Sequence, residues 1–223
     1  MALPDYALES AVRAAIARGD AADPDRASGH APICGVDEAG RGPWAGPVVA
    51  GAACLDPATA PRGLNDSKKL TPARREDLFE ALRDVAEIGV GVATVEEIDR
   101  LNILNATYLA MTRAVAALPR RPGFALIDGN RIPPGLPCPA DAVVKGDGRS
   151  LSIAAASIVA KVTRDRFMRA LAAEFPQYGW ERNNGYGVKA HAEALARYGV
   201  TPHHRRSFKP IHKMLCEENS STH

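Results

Sequence analysis

Residues 35–53 read GVDEAGRGPWAGPVVAGAA. Two adjacent acids, Asp37 and Glu38, close a short apolar run; Gly40-Arg41-Gly42 follows, and then a second apolar run begins. Short apolar runs bounded by turn residues mark buried strands. ICGVD and PVVAGAACL are therefore predicted as strands, the second with a glycine inside it. Glycines flanking Arg41 let the backbone approach a ligand, and the arginine adds a fixed charge with several donors. Gly-Arg-Gly is also the pattern of a plain turn, and it lacks the spacing of a dinucleotide fingerprint or a P-loop.

Outward from this stretch, IGVGVATV, GFALIDGN and AVVKGD read as further strands. Residues 4–18 predict an amphipathic helix with Leu8, Val12, Ala15 and Ile16 on one stripe, followed by a polar Gly/Pro-rich linker. Thr71 and Pro72 predict an N-cap and first helical position. Residues 101–118, 151–175 and 189–199 carry helical periodicity, and a basic, irregular tail ends in a polar EENSSTH that is expected to lack order. The expected architecture is α/β: three layers around a mixed central sheet, with a small helical C-terminal lobe. The expected division is residues 1–30 (helix and linker), 31–174 (catalytic domain) and 175–223 (basic substrate-binding lobe).

The chain has 223 residues, 46% of them hydrophobic, enough for a core without staples. A net charge of +2 leaves bulk electrostatics uninformative about partners. Cys34, Cys54, Cys138 and Cys216 show no CxxC spacing and read as reduced thiols rather than a zinc site or disulfide framework. No apolar run approaches the roughly 18 residues of a membrane span. Asp5 and Glu9 interrupt any signal-peptide pattern, so the expectation is a cytoplasmic protein without a membrane partner.

Four acids fall at predicted strand ends: Asp37, Glu38, Asp128 and Asp147. Acids favour turns in general, but strand ends of an α/β sheet are also where functional groups converge. Crowded carboxylates need a cation, and an all-oxygen donor set suits Mg²⁺ or Mn²⁺. Two such ions about 3.5–4 Å apart clamp the attacking and leaving oxygens of a phosphoryl displacement.

The ordered motifs VDEAGRGPWAGPVVAGA, LNDSKKL, IDGN, VVKGD, SIAAASIVAKVTRD, NGYGVKAH and HHRRSFKP, spread over about residues 33–211, resemble the bacterial ribonuclease HII family. The resemblance implies a ribonuclease H-like fold with two divalent ions held by Asp37, Glu38, Asp128 and Asp147. It implies cleavage of RNA–DNA hybrids, and cleavage 5′ to a ribonucleotide in duplex DNA that leaves a 3′-hydroxyl and a 5′-phosphate. Gly40 and Gly42 would reach the ribose 2′-hydroxyl, which distinguishes RNA from DNA. Arg41 would hold a neighbouring phosphate, and Tyr186 would stack on the adjoining sugar, although a core or loop-anchoring aromatic is the plainer reading of a tyrosine. The resemblance also implies a monomer. The type 3 ribonuclease H family shares fold and metals, but carries a longer N-terminal domain and lacks Gly-Arg-Gly.

Seven Lys/Arg against one acid between Arg182 and Lys213 predict phosphate contacts, among them Arg205, with Ser207 beside it. Ser67, Lys68 and Lys69 form a second predicted phosphate contact. Ser157 and Lys161 share a helix face, either supporting the site or forming a polar stripe. Asp165 reads as structural, in register with Lys161 and Arg169. His203 and His204 read as phosphate or backbone donors rather than zinc ligands. No sliding-clamp peptide is evident at the C-terminus.

Overall fold

A computed structural model describes residues 3–18 and 31–220; most of the predicted linker and residues 221–223 lie outside them. The elements are α1 (Ala7–Ala17), β1 (Ile33–Ala39), β2 (Val48–Cys54), α2 (Pro72–Val85), β3 (Glu87–Ala93), α3 (Val95–Leu101), α4 (Ile103–Ala116), β4 (Phe124–Asp128), β5 (Ala140–Val143), α5 (Leu151–Glu174), α6 (Trp180–Asn183), α7 (Lys189–Tyr198) and α8 (Lys209–Ser220). The strands form a mixed sheet in the order β3-β2-β1-β4-β5. β1 runs antiparallel to β2 and parallel to β4, so Asp37 pairs across to Gly51 while β4 delivers Asp128 to the same end of the sheet.

Helices cover both faces. Ala106, Ala110, Met111 and Ala114 of α4 pack on Val36, Val48, Ala50 and Ile127. On the other face α5 and α2 bring Ala154, Ala155, Ile158, Leu78 and Leu82 against Ala53 and Leu55. α5 lies close because the facing strand residues are glycines. A Cβ on Gly35 would sit 2.1 Å from the Ser152 carbonyl carbon, and one on Gly51 2.4 Å from the Ala156 oxygen. The C-terminal half of α5 continues into the lobe, where Met168 and Ala172 pack with Tyr178, Trp180, Leu195 and Ile211.

Two local features depart from expectation. The helix expected over 101–118 is α4, but an unforeseen short helix, α3, precedes it: Asn102, at φ 67°, ends α3, and its side chain caps α4. α3 itself carries a sequence signature, the Thr94–Glu97 capping box. The tail expected to be irregular forms α8, which begins at Lys209 and runs into the EENSSTH segment as far as Ser220.

Candidate active site

Asp37 lies in β1 with only 4% of its surface exposed, Asp128 ends β4, and Asp147 sits in a tight turn over Gly146–Gly148 before α5. One carboxylate oxygen of each lies within 4.8 Å of the other two. The turn is built for this: Lys145 takes a left-handed conformation (φ 55°), and the Gly146 N–H donates to Asp128 Oδ1 at 2.7 Å. Burial raises the Asp37 carboxyl well above the usual range, and the charges of Glu38 and Asp128 add to it. Burial also raises Asp128 and Asp147, with neighbouring carboxylates contributing to both. Like charges held together out of water resist ionisation until a cation arrives.

A cation of the chain stands nearby. Lys68 Nζ is 4.0 Å from Asp147 Oδ2. Burial works against its charge, but Asp37, Asp66, Asp147 and Asp128 together raise its pKa. Its loop is fixed: the Asp66 side chain accepts from the Lys68 N–H at 2.9 Å, and the Ser67 and Ser157 hydroxyls are 2.8 Å apart. Ser157 also bonds Asp37, which draws its pKa back down in part. Ser157 therefore supports the cluster. Glu38 stands at its margin, where Arg41 Nη1 donates to Glu38 Oε1 at 3.2 Å.

A 230 Å³ recess beside the acids is lined by Glu38, Gly40, Arg41, Gly42, Lys68 and Tyr186, among others. Lys69 lines a second opening, on the side of Asp128 and Asp147. Tyr186 is 48% exposed, and a Cβ on Gly42 would stand 3.4 Å from its ring.

The sequence profile of the family described as Ribonuclease HII matches residues 34–211. The chain is 61% identical to the Ribonuclease HII of Ruegeria pomeroyi over 218 residues, 98% of this chain and 88% of that one. It belongs to the ribonuclease HII family. It is accordingly a ribonuclease H enzyme, and its fold agrees with solved relatives. The ribonuclease H2 of Pyrococcus horikoshii superposes with a TM-score of 0.70 at 33% identity, covering 86% of this chain and 99% of that one. Bst-RNase HIII, solved in complex with Mn²⁺, superposes at 0.65 with 20% identity, over 85% of this chain and 71% of that one, a likeness of fold.

Within this ribonuclease HII fold, two predicted substrate residues turn elsewhere. Arg205 is fully buried. Its guanidinium donates to the carbonyls of Gly46 at 2.9 Å, Arg41 at 2.9 Å, and Gly40 at 2.6 Å and Pro47 at 3.1 Å. With its donors spent inside, Arg205 shapes the Gly40–Pro47 loop and presents no guanidinium to a phosphate; burial lowers its pKa to about 9. The Ser207 hydroxyl and N–H both donate to Asp99 Oδ1, at 2.6 and 2.9 Å, tying the tail to α3.

Arg164 was missed. Buried in α5, it donates to the carbonyls of Pro47, Asn184 and Ala45, each at 3.1 Å, so it holds the Gly-Arg-Gly loop and the Tyr186 loop together. Gly40, at φ 95°, passes directly over it: a Cβ there would meet Arg164 Nε at 1.9 Å. The available signal was position, since Arg164 extends the Ser157–Lys161 stripe by three residues. Asp165 pairs with Lys161 at 2.6 Å and with Arg75 at 3.9 Å, whereas the Arg169 guanidinium reaches Glu76.

His191 and His204 are internal too. His204 Nδ1 accepts from the Thr201 N–H at 3.0 Å, which leaves its proton on Nε2, 3.0 Å from His191 Nε2. Trp180 Nε1–H also donates to His191 Nε2, at 3.2 Å. His191 must then carry its proton on Nδ1, where it donates to the Tyr186 carbonyl at 2.9 Å. Burial lowers both imidazole pKa values, His204 to about 3. His204 is thus a neutral link in a chain that ends on the Tyr186 backbone, and contacts no phosphate from the fully buried place it occupies.

Proposed function

We propose that this enzyme cleaves the RNA strand of RNA–DNA hybrids and cuts on the 5′ side of single ribonucleotides embedded in duplex DNA, leaving a 3′-hydroxyl and a 5′-phosphate. The observation that carries the reading is the cluster of Asp37, Asp128 and Asp147 opening beside a recess lined by Gly40, Gly42 and Tyr186. Asp37, Glu38, Asp128 and Asp147 would hold two divalent ions, Mg²⁺ or Mn²⁺. Their hard oxygen donors and their mutual repulsion suit such cations. When bound, the ions supply Lewis-acid stabilisation of charge on the phosphoryl oxygens and a nucleophilic water.

The protein's own residues do the rest. Gly40 and Gly42 offer backbone groups to the 2′-hydroxyl. Arg41, Lys68, Lys69 and the Ser67 turn hold flanking phosphates. Tyr186 stacks on the sugar next to the ribonucleotide, and the buried Arg164 and Arg205 keep the loop and the ring in register. These activities fit ribonucleotide excision repair and RNA primer removal, carried out by a monomer in the cytoplasm. Among the described residues no helix is long and apolar enough to cross a membrane.

The test uses three labelled duplexes with Mg²⁺ or Mn²⁺: one with a single ribonucleotide, one RNA–DNA hybrid and one all DNA. A single cut 5′ to the ribonucleotide, cleavage of the hybrid and intact DNA are expected. Cleavage of the hybrid alone would remove the junction-sensing role of Gly40, Gly42 and Tyr186. Tight binding without cleavage under either metal would overturn the nuclease reading.

A further inference from the structure

α1 precedes the segment matched by the family profile, yet it is built into the catalytic body. Leu8 and Val12 pack on the core group of Ile33, Leu126, Val143 and Ile153. Between them on the helix, Glu9 has no exposed surface. Its Oε1 accepts from the Ser150 hydroxyl at 2.6 Å and from the Ser152 N–H at 2.9 Å. A carboxylate there meets the unpaired N–H groups and the positive end of the α5 dipole. The main chain reinforces it: the Asp5 N–H donates to the Arg149 carbonyl at 3.3 Å, and the Leu151 N–H to the Asp5 carbonyl at 2.9 Å.

Ser150 is held from three sides. Its single hydroxyl proton goes to Glu9, its oxygen accepts from the Ile153 N–H at 3.1 Å, and its own N–H donates to the Gly146 carbonyl at 2.8 Å. That last bond closes the turn containing Asp147, and the Gly146 N–H reaches Asp128 Oδ1 at 2.7 Å. A continuous run of hydrogen bonds thus leads from Glu9 through Ser150 and Gly146 to the carboxylate cluster.

We infer that Glu9 is a positioning residue for the carboxylate cluster: by fixing Ser150 it sets the turn bearing Asp147 and the seat of Asp128, and so governs divalent-ion affinity. The inference rests on the reading that these carboxylates hold the ions. Removing Glu9 leaves the Ser150 hydroxyl and the Ser152 N–H without their acceptor in a buried place, and the turn relaxes to find others.

The experiment is a Mn²⁺ titration of the full-length protein without substrate, read by loss of the free-ion electron paramagnetic resonance signal. Wild type, Glu9→Ala, Glu9→Gln and Asp128→Asn are compared, each well below its melting temperature. Glu9→Ala is expected to bind Mn²⁺ about tenfold more weakly, the scale on which outer hydrogen-bond partners act on metal sites. Glu9→Gln keeps the accepting oxygen and is expected to stay within about twofold of wild type. In turnover, the Mg²⁺ concentration for half-maximal rate rises for Glu9→Ala while KM for the duplex is unchanged. Should Glu9→Ala not fold, Ser150→Ala cuts the same link from the other side and is expected to weaken Mn²⁺ in the same way. Wild-type affinity in a folded Glu9→Ala or Ser150→Ala, whatever its melting temperature, overturns the inference and leaves the metal reading standing. Absence of Mn²⁺ binding by wild type overturns both.

Discussion

Asp37 and His204 are both buried ionisable side chains, and burial moves them in opposite directions: the carboxyl upward, the imidazole downward. Each prefers its neutral form, but the surroundings differ. Around Asp37 stand other carboxylates, Glu38 and Asp128, so ionising all of them stores repulsion that a cation can release. Around His204 stand a backbone donor and the ring nitrogen of a second histidine, so the neutral tautomer is already satisfied. The carboxylate end is therefore incomplete by itself, whereas the lobe is complete and serves to hold Tyr186.

The sharpest way to break this contrast is Asp128→Asn. The amide can still accept from the Gly146 N–H but carries no charge. Cleavage is expected to fall by about 10³-fold or more, on the scale of lost electrostatic stabilisation of a transition state, with duplex binding largely kept. Wild-type turnover in Mg²⁺ would sink the assignment.

Next in size is His191→Phe, which removes the donor to the Tyr186 carbonyl while keeping an aromatic ring. Preference for a single ribonucleotide over a long hybrid is expected to drop about tenfold, the worth of one hydrogen bond, with cleavage of the hybrid little changed. Equal loss on both substrates would show that the histidine chain serves stability alone.

Proton linkage separates the two regions by sign. His204 has a folded pKa of about 3 against an ordinary 6.5, so the unfolded chain binds protons first. Stability is then lost as pH falls from about 6.5 towards 3, by up to about 1.4 kcal/mol per pH unit for one such group. The raised carboxyls act the other way: without divalent ions they cost stability as pH climbs above the ordinary 3.8 through their raised folded values. Melting curves in chelator should show Asp128→Asn more stable than wild type at neutral pH and no better below about pH 3.8. A constant difference at every pH would contradict the repulsion.

The smallest effect is expected from Asp165→Asn. Asp165 pairs with Lys161 and Arg75 and belongs to no carboxylate cluster with Asp37. A steady-state assay should find the rate within about twofold, because partly exposed ion pairs contribute little.

Much of the contrast could be read beforehand at one end and little at the other. The strands of residues 33–54 and the acids at their ends were visible because strand patterning is local and a strand end is a definite place. Arg205 could not be assigned in the same way. In a basic run, charge does not reveal whether a guanidinium meets a phosphate or, as here, the carbonyls of a loop some 160 residues earlier in the chain. His191 and His204 are thirteen positions apart, and nothing in their spacing announces that their rings share a proton. Asn102 is a local lesson: the helix after it was legible, whereas the short α3 that it ends at a positive φ was not, although the Thr94–Glu97 capping box was there to be read.

The amino-acid sequence by itself determined the α/β order, the four acids, the Gly-Arg-Gly turn and the family, since each is a property of residues near one another or of motifs in order. Tertiary structure alone decided that Glu9 reaches Ser150, that Arg164 and Arg205 face inward, and that burial holds His191 and His204 toward their neutral forms. Those outcomes depend on which distant groups exclude water from a side chain, and burial is set only once the sheet and its helices have closed together.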